Sequence, residues 1–106
     1  MDMTEEMRLN RMSEIDNHLE QMEVTATAIG GNKERHEYAD AIVGVADDGD
    51  MARIVYTRGG LVKALKRLHG FSDEDAEEWF EFNLVRGIGY MPKDQNPPLI
   101  IDDGML

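Results

Sequence analysis

The sequence predicts a single α+β domain with the element order α-β-β-α-α-β, in which a three-stranded antiparallel sheet packs on helices. Three observations predict this fold. An apolar stripe at helical spacing runs through residues 1–29, two runs of β-forming residues flank a turn rich in Asp and Gly, and residues 70–91 contain a helix start, a long apolar face and a stop. A chain of 106 residues is long enough to bury one modest core.

The first element is predicted to be a helix over residues 1–29. Its apolar residues recur at intervals of three and four and form one stripe: Met12, Ile15, Leu19, Met22, Ala26 and Ile29. Two interpretations are open. The stripe packs on the domain's own sheet, or it pairs with a second copy as a short coiled coil, which would give a homodimer through Met12, Ile15, Leu19 and Met22. Because the seam has fewer than three full heptads, we favour packing within the chain.

The predicted helix ends at Gly30, so we divide the chain into residues 1–31, an arm for packing or oligomerisation, and residues 32–106, the α+β core domain. Residues 33–37 are predicted to be a charged connector. Residues 38–46 and 51–57 are rich in β-branched side chains and predict two strands. Residues 47–50 (Asp-Asp-Gly-Asp) are typical of a turn, so we expect an antiparallel hairpin.

Two helices and a short strand are predicted after the hairpin. Thr57 is a suitable N-cap for a helix from Arg58 to about His69, which Gly70 ends. Ser72, followed by an acidic residue three positions later, predicts the start of the next helix. Its predicted apolar face is widened by Phe82 and Val85 and otherwise consists of Ala76, Trp79, Phe80, Asn83, Leu84, Gly87 and Ile88. Residues 99–101 predict a last strand, and the two prolines before it suit an edge position.

The charge balance narrows the classes of partner. The net charge is −11, from 22 acidic and 11 basic residues, which argues against direct binding of nucleic acid or of an anionic membrane. It suits a partner protein with a basic surface, or simply high solubility. The first residues are charged, unlike a signal peptide, and no apolar run is long enough to span a bilayer. The absence of Cys excludes disulfides and thiol chemistry.

No catalytic or metal-binding constellation is apparent, so we expect neither enzymatic activity nor a cofactor nor a metal site. His18, His36 and His69 lie on separate predicted elements without an acidic partner at metal-ligand spacing. The Asp-rich turn resembles the start of a calcium loop, but its twelfth position is Arg58 rather than Glu. Residues 58–60 (Arg-Gly-Gly) lack the Lys-Ser/Thr pair of a phosphate-binding loop.

Two stretches are candidates for binding a partner. Residues 73–81 contain six acidic residues and no basic one. They form either a solvated helix face or a ridge that imitates a nucleic-acid backbone and occupies a basic groove. Residues 86–92 (RGIGYMP) form either a helix end that needs a positive φ angle or a ligand or partner surface. The predicted partner-binding residues are Asp73, Glu74, Glu77, Glu78, Glu81, Arg86 and Tyr90.

Five segments share a pattern: DAIVGV at 40–45, RIVYT at 53–57, LVKALKRLHGFS at 61–72, EDAEEWFEFNLVRGIGYM at 74–91 and PLII at 98–101. They resemble a family of small tailed-phage proteins with a hairpin, a helix ending in Gly, an acidic-aromatic helix and a turn before an apolar strand. The matching positions run from Glu74 to Asn83 and include Arg86, Tyr90, Met91, Pro98 and Ile100. The resemblance leaves out the N-terminal helix. It implies a phage origin and this order of elements, and it implies no mechanism.

These observations together favour a phage-encoded protein that binds a host protein in the host cytoplasm. One form of this hypothesis is an inhibitor of a host defence or nucleic-acid-handling system, comparable to an anti-CRISPR protein or a DNA mimic. A first alternative is a homo-oligomeric structural or accessory phage protein. A second is a small ligand-binding module around residues 86–91 that also uses Asn83. Asn83 lies on the predicted apolar side, where it is either a buried, hydrogen-bonded residue or part of a recognition surface.

Overall fold

The computed structural model describes residues 3–47 and 51–102, and it has the predicted α+β architecture with a three-stranded sheet. In chain order the elements are α1 (Glu5–Gln21), α2 (Gly31–Glu34), a 3₁₀ segment (Arg35–Ala41), β1 (Ile42–Asp47), β2 (Ala52–Thr57), α3 (Arg58–His69), α4 (Asp73–Trp79), a π-helical segment (Phe80–Val85), α5 (Arg86–Gly89), a 3₁₀ turn (Lys93–Gln95) and β3 (Leu99–Ile101). The run from α4 through the π-helical segment to α5, residues 73–89, is called the π-interrupted helix below.

The sheet has the order β1-β2-β3. β1 and β2 form the predicted antiparallel hairpin, with a bulge between Ile42 and Gly44. The predicted turn falls largely on residues 48–50, which lie outside the described residues. β3 is an edge strand as predicted, but it runs parallel to β2, with Tyr56 opposite Ile100. The prediction of a fully antiparallel sheet is therefore wrong. The chain leaves β2 through three helices and returns beside it, and such a helical crossover is the connection that parallel strands require.

The N-terminal helix is shorter than predicted. The Thr4 hydroxyl accepts the Met7 N–H (3.1 Å) at its start, and the helix ends at Gln21. Residues 24–28 have no regular secondary structure. They contain β-branched side chains, which disfavour helix, and they find hydrogen bonds elsewhere. The Thr27 N–H donates to the Asn96 carbonyl (3.1 Å), and the Asn96 side-chain amide donates to the Thr25 carbonyl (2.7 Å).

The predicted charged connector and the start of the first strand are helical instead. Residues 31–41 form α2 and the 3₁₀ segment, and β1 begins only at Ile42. Tyr38 and Ala41, three positions apart, are both buried in the hydrophobic core. Because side chains three apart lie above one another in a 3₁₀ helix, this segment places both against the core.

One hydrophobic core joins the predicted arm to the predicted core domain. Met12, Ile15 and Leu19 of α1 are buried in the same cluster as residues of β2 and α3, and Met22 packs against it. α1 lies mainly on the 3₁₀ segment rather than on the sheet. Met12, Ile15 and Leu19 are thus covered within the chain, by the 3₁₀ segment more than by the sheet that the first interpretation names. The homodimer stays a prediction.

The helix α3 has the predicted bounds. Its Thr57 hydroxyl accepts the Gly60 N–H (3.1 Å), and Gly70 ends it with a φ angle of 68°. Gly60 lies so close to the 3₁₀ segment that a Cβ atom there would be 2.7 Å from the Ala41 Cα atom. This close packing explains why position 60 is a glycine.

The π-interrupted helix begins as predicted, with the Ser72 hydroxyl accepting the Asp75 N–H (3.2 Å). Its middle was not predicted to widen. In a regular α-helix, the side chains of residues four positions apart differ in direction by roughly 40° about the helix axis, so a row of such residues winds around the helix. The wider turn, closed by i→i+5 bonds, offsets this winding and keeps positions 76, 80, 84 and 88 towards the core. The same turn leaves Phe82, Asn83 and Val85 exposed, so the prediction that they belong to the apolar face is wrong.

Within residues 3–47 and 51–102, no helix combines the length and the apolar character needed to cross a membrane.

Candidate partner-binding surface

Two of the predicted acidic residues face α3. The Glu77 and Glu81 carboxylates both accept hydrogen bonds from the Arg58 guanidinium, at 2.9 Å in the case of Glu81. The same guanidinium lies 4.9 Å from the centre of the Phe80 ring. The hydrogen bond with Glu77 is the main reason that the pKa of Arg58 is raised. These two carboxylates therefore tie α4 and the π-helical segment to α3.

A third predicted residue, Asp73, forms an ion pair with Lys66 of α3. Glu74 and Glu78 are exposed and form no ion pair with any described residue, and the same holds for Asp75. The predicted acidic ridge is thus divided. Asp73, Glu77 and Glu81 are partly neutralised within the chain, and the uncompensated charge remains on the side of the helix that faces away from α3.

The other two predicted residues, Arg86 and Tyr90, follow along the helix. The Arg86 guanidinium lies 5.3 Å from the centre of the Phe82 ring, within the range of a cation–π contact. Tyr90 is 87% exposed. Neither residue lines either of the two hollows beside this helix. The alternative of a ligand pocket built from Asn83, Arg86 and Tyr90 therefore receives no support from the geometry.

A hollow of about 330 Å³ lies beside the first half of the π-interrupted helix, near the end of α3. Three of its lining residues are aromatic, two are acidic and one is an amide. We call it the aromatic hollow, and it is lined by Phe71, Asp75, Glu78, Trp79, Phe82 and Asn83. The His69 ring contacts two residues of its wall. It stacks on the Phe71 ring with 5.0 Å between ring centres, and it lies tilted against the Trp79 ring with 5.8 Å between ring centres.

The π-interrupted helix and the residue that follows it also expose apolar side chains. Phe82, Val85 and Tyr90 are 56%, 41% and 87% exposed, and they make up half of the six exposed large hydrophobic residues among those described. Exposed apolar side chains are candidates for contact with a partner where they form one patch, but Val85 lines a different hollow from Phe82. We call the surface formed by Glu74, Asp75, Glu78, Phe82, Arg86 and Tyr90 the outer face.

A second hollow, of about 450 Å³, lies on the opposite side of the helix, against the edge strand β3. Its walls are mostly apolar, and charges of both signs stand at its rim. Arg58 and Glu81 at this rim already bind each other, and the Arg53 guanidinium donates to the Pro97 carbonyl at 2.7 Å. The groups present select no particular ligand class. The lining is Arg53, Arg58, Phe80, Glu81, Val85, Ile88, Pro98, Leu99, Ile100 and Asp102.

One histidine has acidic neighbours that the sequence did not indicate. His36 Nε2 lies 2.8 Å from Glu37 Oε1 and 3.9 Å from Glu5 Oε1, and these three side chains could together approach one cation. The other Glu37 oxygen lies 3.9 Å from the Arg8 guanidinium and 4.0 Å from that of Arg67. Two positive charges at this distance repel a divalent ion, so the cluster is better described as a network of ion pairs between α1, the 3₁₀ segment and α3.

Of the two aromatic residues of the outer face, the sequence predicts a binding role for Tyr90 and misses Phe82. A regular α-helix would place Phe82 beside the apolar stripe, and no residue pattern indicates the wider turn. The available signal was the alternation of acidic and aromatic residues at Glu78-Trp79 and Glu81-Phe82.

No family model, curated protein sequence or solved structure matches the chain.

Proposed function

We propose that the protein acts without catalysis, by binding a second protein with a basic surface through the outer face of the π-interrupted helix. The observation that carries this proposal is the exposure of Phe82 and Tyr90, at 56% and 87%, on a helix whose opposite side is fixed in the core. Aromatic side chains of this size contribute strongly when a partner removes them from water.

The composition of the outer face supports protein binding. Residues that dominate binding energy at interfaces are most often Trp, Tyr and Arg. Here the Arg86 guanidinium rests over the exposed Phe82 ring, and the exposed Tyr90 follows directly after the helix. That contact limits the conformations of both side chains before a partner arrives, which reduces the entropy lost on binding.

The charges of the outer face indicate the surface charge that a partner protein would need. Glu74, Asp75 and Glu78 carry no ion pair with a described residue, whereas Arg58 and Lys66 on the adjacent α3 are engaged by acidic side chains. The chain has a net charge of −11. Complementary charge accelerates association and excludes acidic proteins, so we expect a basic surface on the partner.

Proteins that handle nucleic acids display such basic surfaces. We therefore propose an inhibitor of a host defence or nucleic-acid-handling system as the specific form of this function, in keeping with the phage origin that the sequence resemblance implies. The acidic and aromatic outer face would cover part of the surface that the target uses for phosphate contacts.

Affinity capture from a bacterial lysate tests the proposal with three baits. They are the unchanged protein, the double variant Phe82→Ser/Tyr90→Ser and the matched control Met7→Ser/Leu9→Ser, which removes two apolar residues of α1 that are 45% and 47% exposed. We expect the unchanged protein and the control to retain the same protein, the double variant to lose it, and raised salt to weaken retention. Equal retention by all three baits, or by none, would refute the proposed function.

A further inference from the structure

We propose that the aromatic hollow receives a basic side chain of the partner protein, with arginine preferred over lysine. This inference rests on the proposed function and names the chemical group that the outer face recognises. The hollow combines three aromatic residues with two carboxylates that form no ion pair with a described residue, and none of its lining residues is basic.

The chain itself contains the arrangement that we propose. On the flank facing α3, the Arg58 guanidinium lies 4.9 Å from the Phe80 ring and donates to the Glu77 and Glu81 carboxylates. An aromatic ring and two carboxylates thus hold one guanidinium on one side of the helix.

The hollow contains the same kinds of group in a different arrangement. The carboxylates of Asp75 and Glu78 line it together with the rings of Phe71, Trp79 and Phe82. The first flank is filled by an arginine of the same chain. On the second, the Arg86 guanidinium lies 5.3 Å from the centre of the Phe82 ring, but no basic residue lines the hollow and its two carboxylates form no ion pair with a described residue. A guanidinium from another protein can make the same two kinds of contact there, stacking on rings and donating to carboxylates.

The hollow suits one side chain rather than a larger ligand. Its volume of about 330 Å³ is at the lower end of binding pockets. Phe71 and Trp79 are steadied by the His69 ring between α3 and α4. Arginine is preferred because its flat guanidinium stacks on an aromatic face and donates in parallel to a carboxylate, whereas the lysine ammonium is a compact and strongly hydrated charge.

The single tryptophan of the chain, Trp79, lines the hollow and reports its occupancy by fluorescence. The probes are three short synthetic peptides of equal length in which glycine alternates with arginine, lysine or citrulline, the last having the shape of arginine without its charge. At low salt we expect the arginine peptide to change Trp79 emission saturably, the lysine peptide to do so at higher concentration, and the citrulline peptide to cause no saturable change.

Two variants locate the site. Phe82→Ala removes one ring, and we expect about a three- to fivefold weaker affinity for the arginine peptide, the size of an exposed cation–π contact. Glu78→Gln should weaken it by a similar factor, of about two to five. The control Glu20→Gln removes one exposed negative charge from α1 and should change the affinity by less than either.

The inference is overturned if the arginine peptide gives no saturable change, if citrulline binds as well as arginine, or if Glu20→Gln weakens binding as much as Glu78→Gln does. Its failure is distinct from that of the proposed function. If the peptides fail while capture from lysate is still lost in Phe82→Ser/Tyr90→Ser, the partner binds the outer face without using the hollow. If capture is unaffected by that double variant, the proposed function itself fails.

Discussion

Tyr56 makes the stability of this protein sensitive to alkaline pH. The side chain is fully buried in β2, and its hydroxyl oxygen accepts the Ile29 N–H at 3.0 Å. Burial disfavours the phenolate and raises the pKa to about 12 from 10.0, although the Ile29 N–H and the nearby Arg35 act in the opposite direction. The unfolded chain therefore releases this proton at lower pH than the folded protein does.

The sign and size of the effect follow from this difference. The folded state binds the proton more tightly, so the contribution of Tyr56 is fully present below pH 10 and is lost as the pH rises towards 12. A shift of two units corresponds to about 2.7 kcal/mol. Since small domains have an unfolding free energy of about 5–15 kcal/mol, this loss is a substantial fraction of the total.

Urea unfolding followed by circular dichroism at a series of pH values measures the effect, with Tyr56→Phe as the comparison. At neutral pH we expect the variant to be less stable by about 1–3 kcal/mol, because the buried Ile29 N–H loses its acceptor. Above pH 10 the difference between the two proteins should shrink, since only the unchanged protein has this proton to lose. Parallel loss of stability in both proteins over this range would refute the reasoning.

Three further predictions use urea unfolding at neutral pH. Gly60→Ala should destabilise the protein by about 1–3 kcal/mol, because the new Cβ atom would lie 2.7 Å from backbone atoms of the 3₁₀ segment. Gly87→Ala should stabilise it by up to about 1 kcal/mol, because no atom lies within 4 Å of the new Cβ atom. A Gly60→Ala variant that is more stable than Gly87→Ala would contradict the packing described. Asn96→Ala should cost about 1–2 kcal/mol by removing the hydrogen bond to the Thr25 carbonyl. Glu37→Gln should lower the free energy of unfolding by about 1–3 kcal/mol, because the buried Arg8 of α1 loses the carboxylate with which it is paired. An unchanged midpoint of urea unfolding would argue against that ion pair.

The parts of the fold that sequence predicted well are those with local signals. The bounds of α3 follow from a capping Thr57 and a terminal Gly70, and the start of the π-interrupted helix follows from Ser72. Each signal acts over about one helical turn, so neighbouring residues suffice to read it.

The parts that were missed depend on distant contacts. The end of α1 has no Gly to mark it, because Glu23 takes the positive φ angle of 59° there, and Asn96 holds residues 25 and 27 from some seventy positions away. The parallel pairing of β3 depends on the path of three intervening helices. For the candidate surface, the sequence predicts that the acidic residues lie on this helix, but the fold is needed to show that Arg58 and Lys66 pair with three of them and that Phe82 is exposed.

The wide turn at Phe80–Val85 also affects how this helix can vary in length. A π-helical turn accommodates one residue more than the α-helical turn it replaces. Deleting one residue from its exposed side should therefore restore an ordinary turn while the buried positions before and after it keep their contacts. A deletion of one residue in this segment would then alter the surface offered to a partner with little effect on the core.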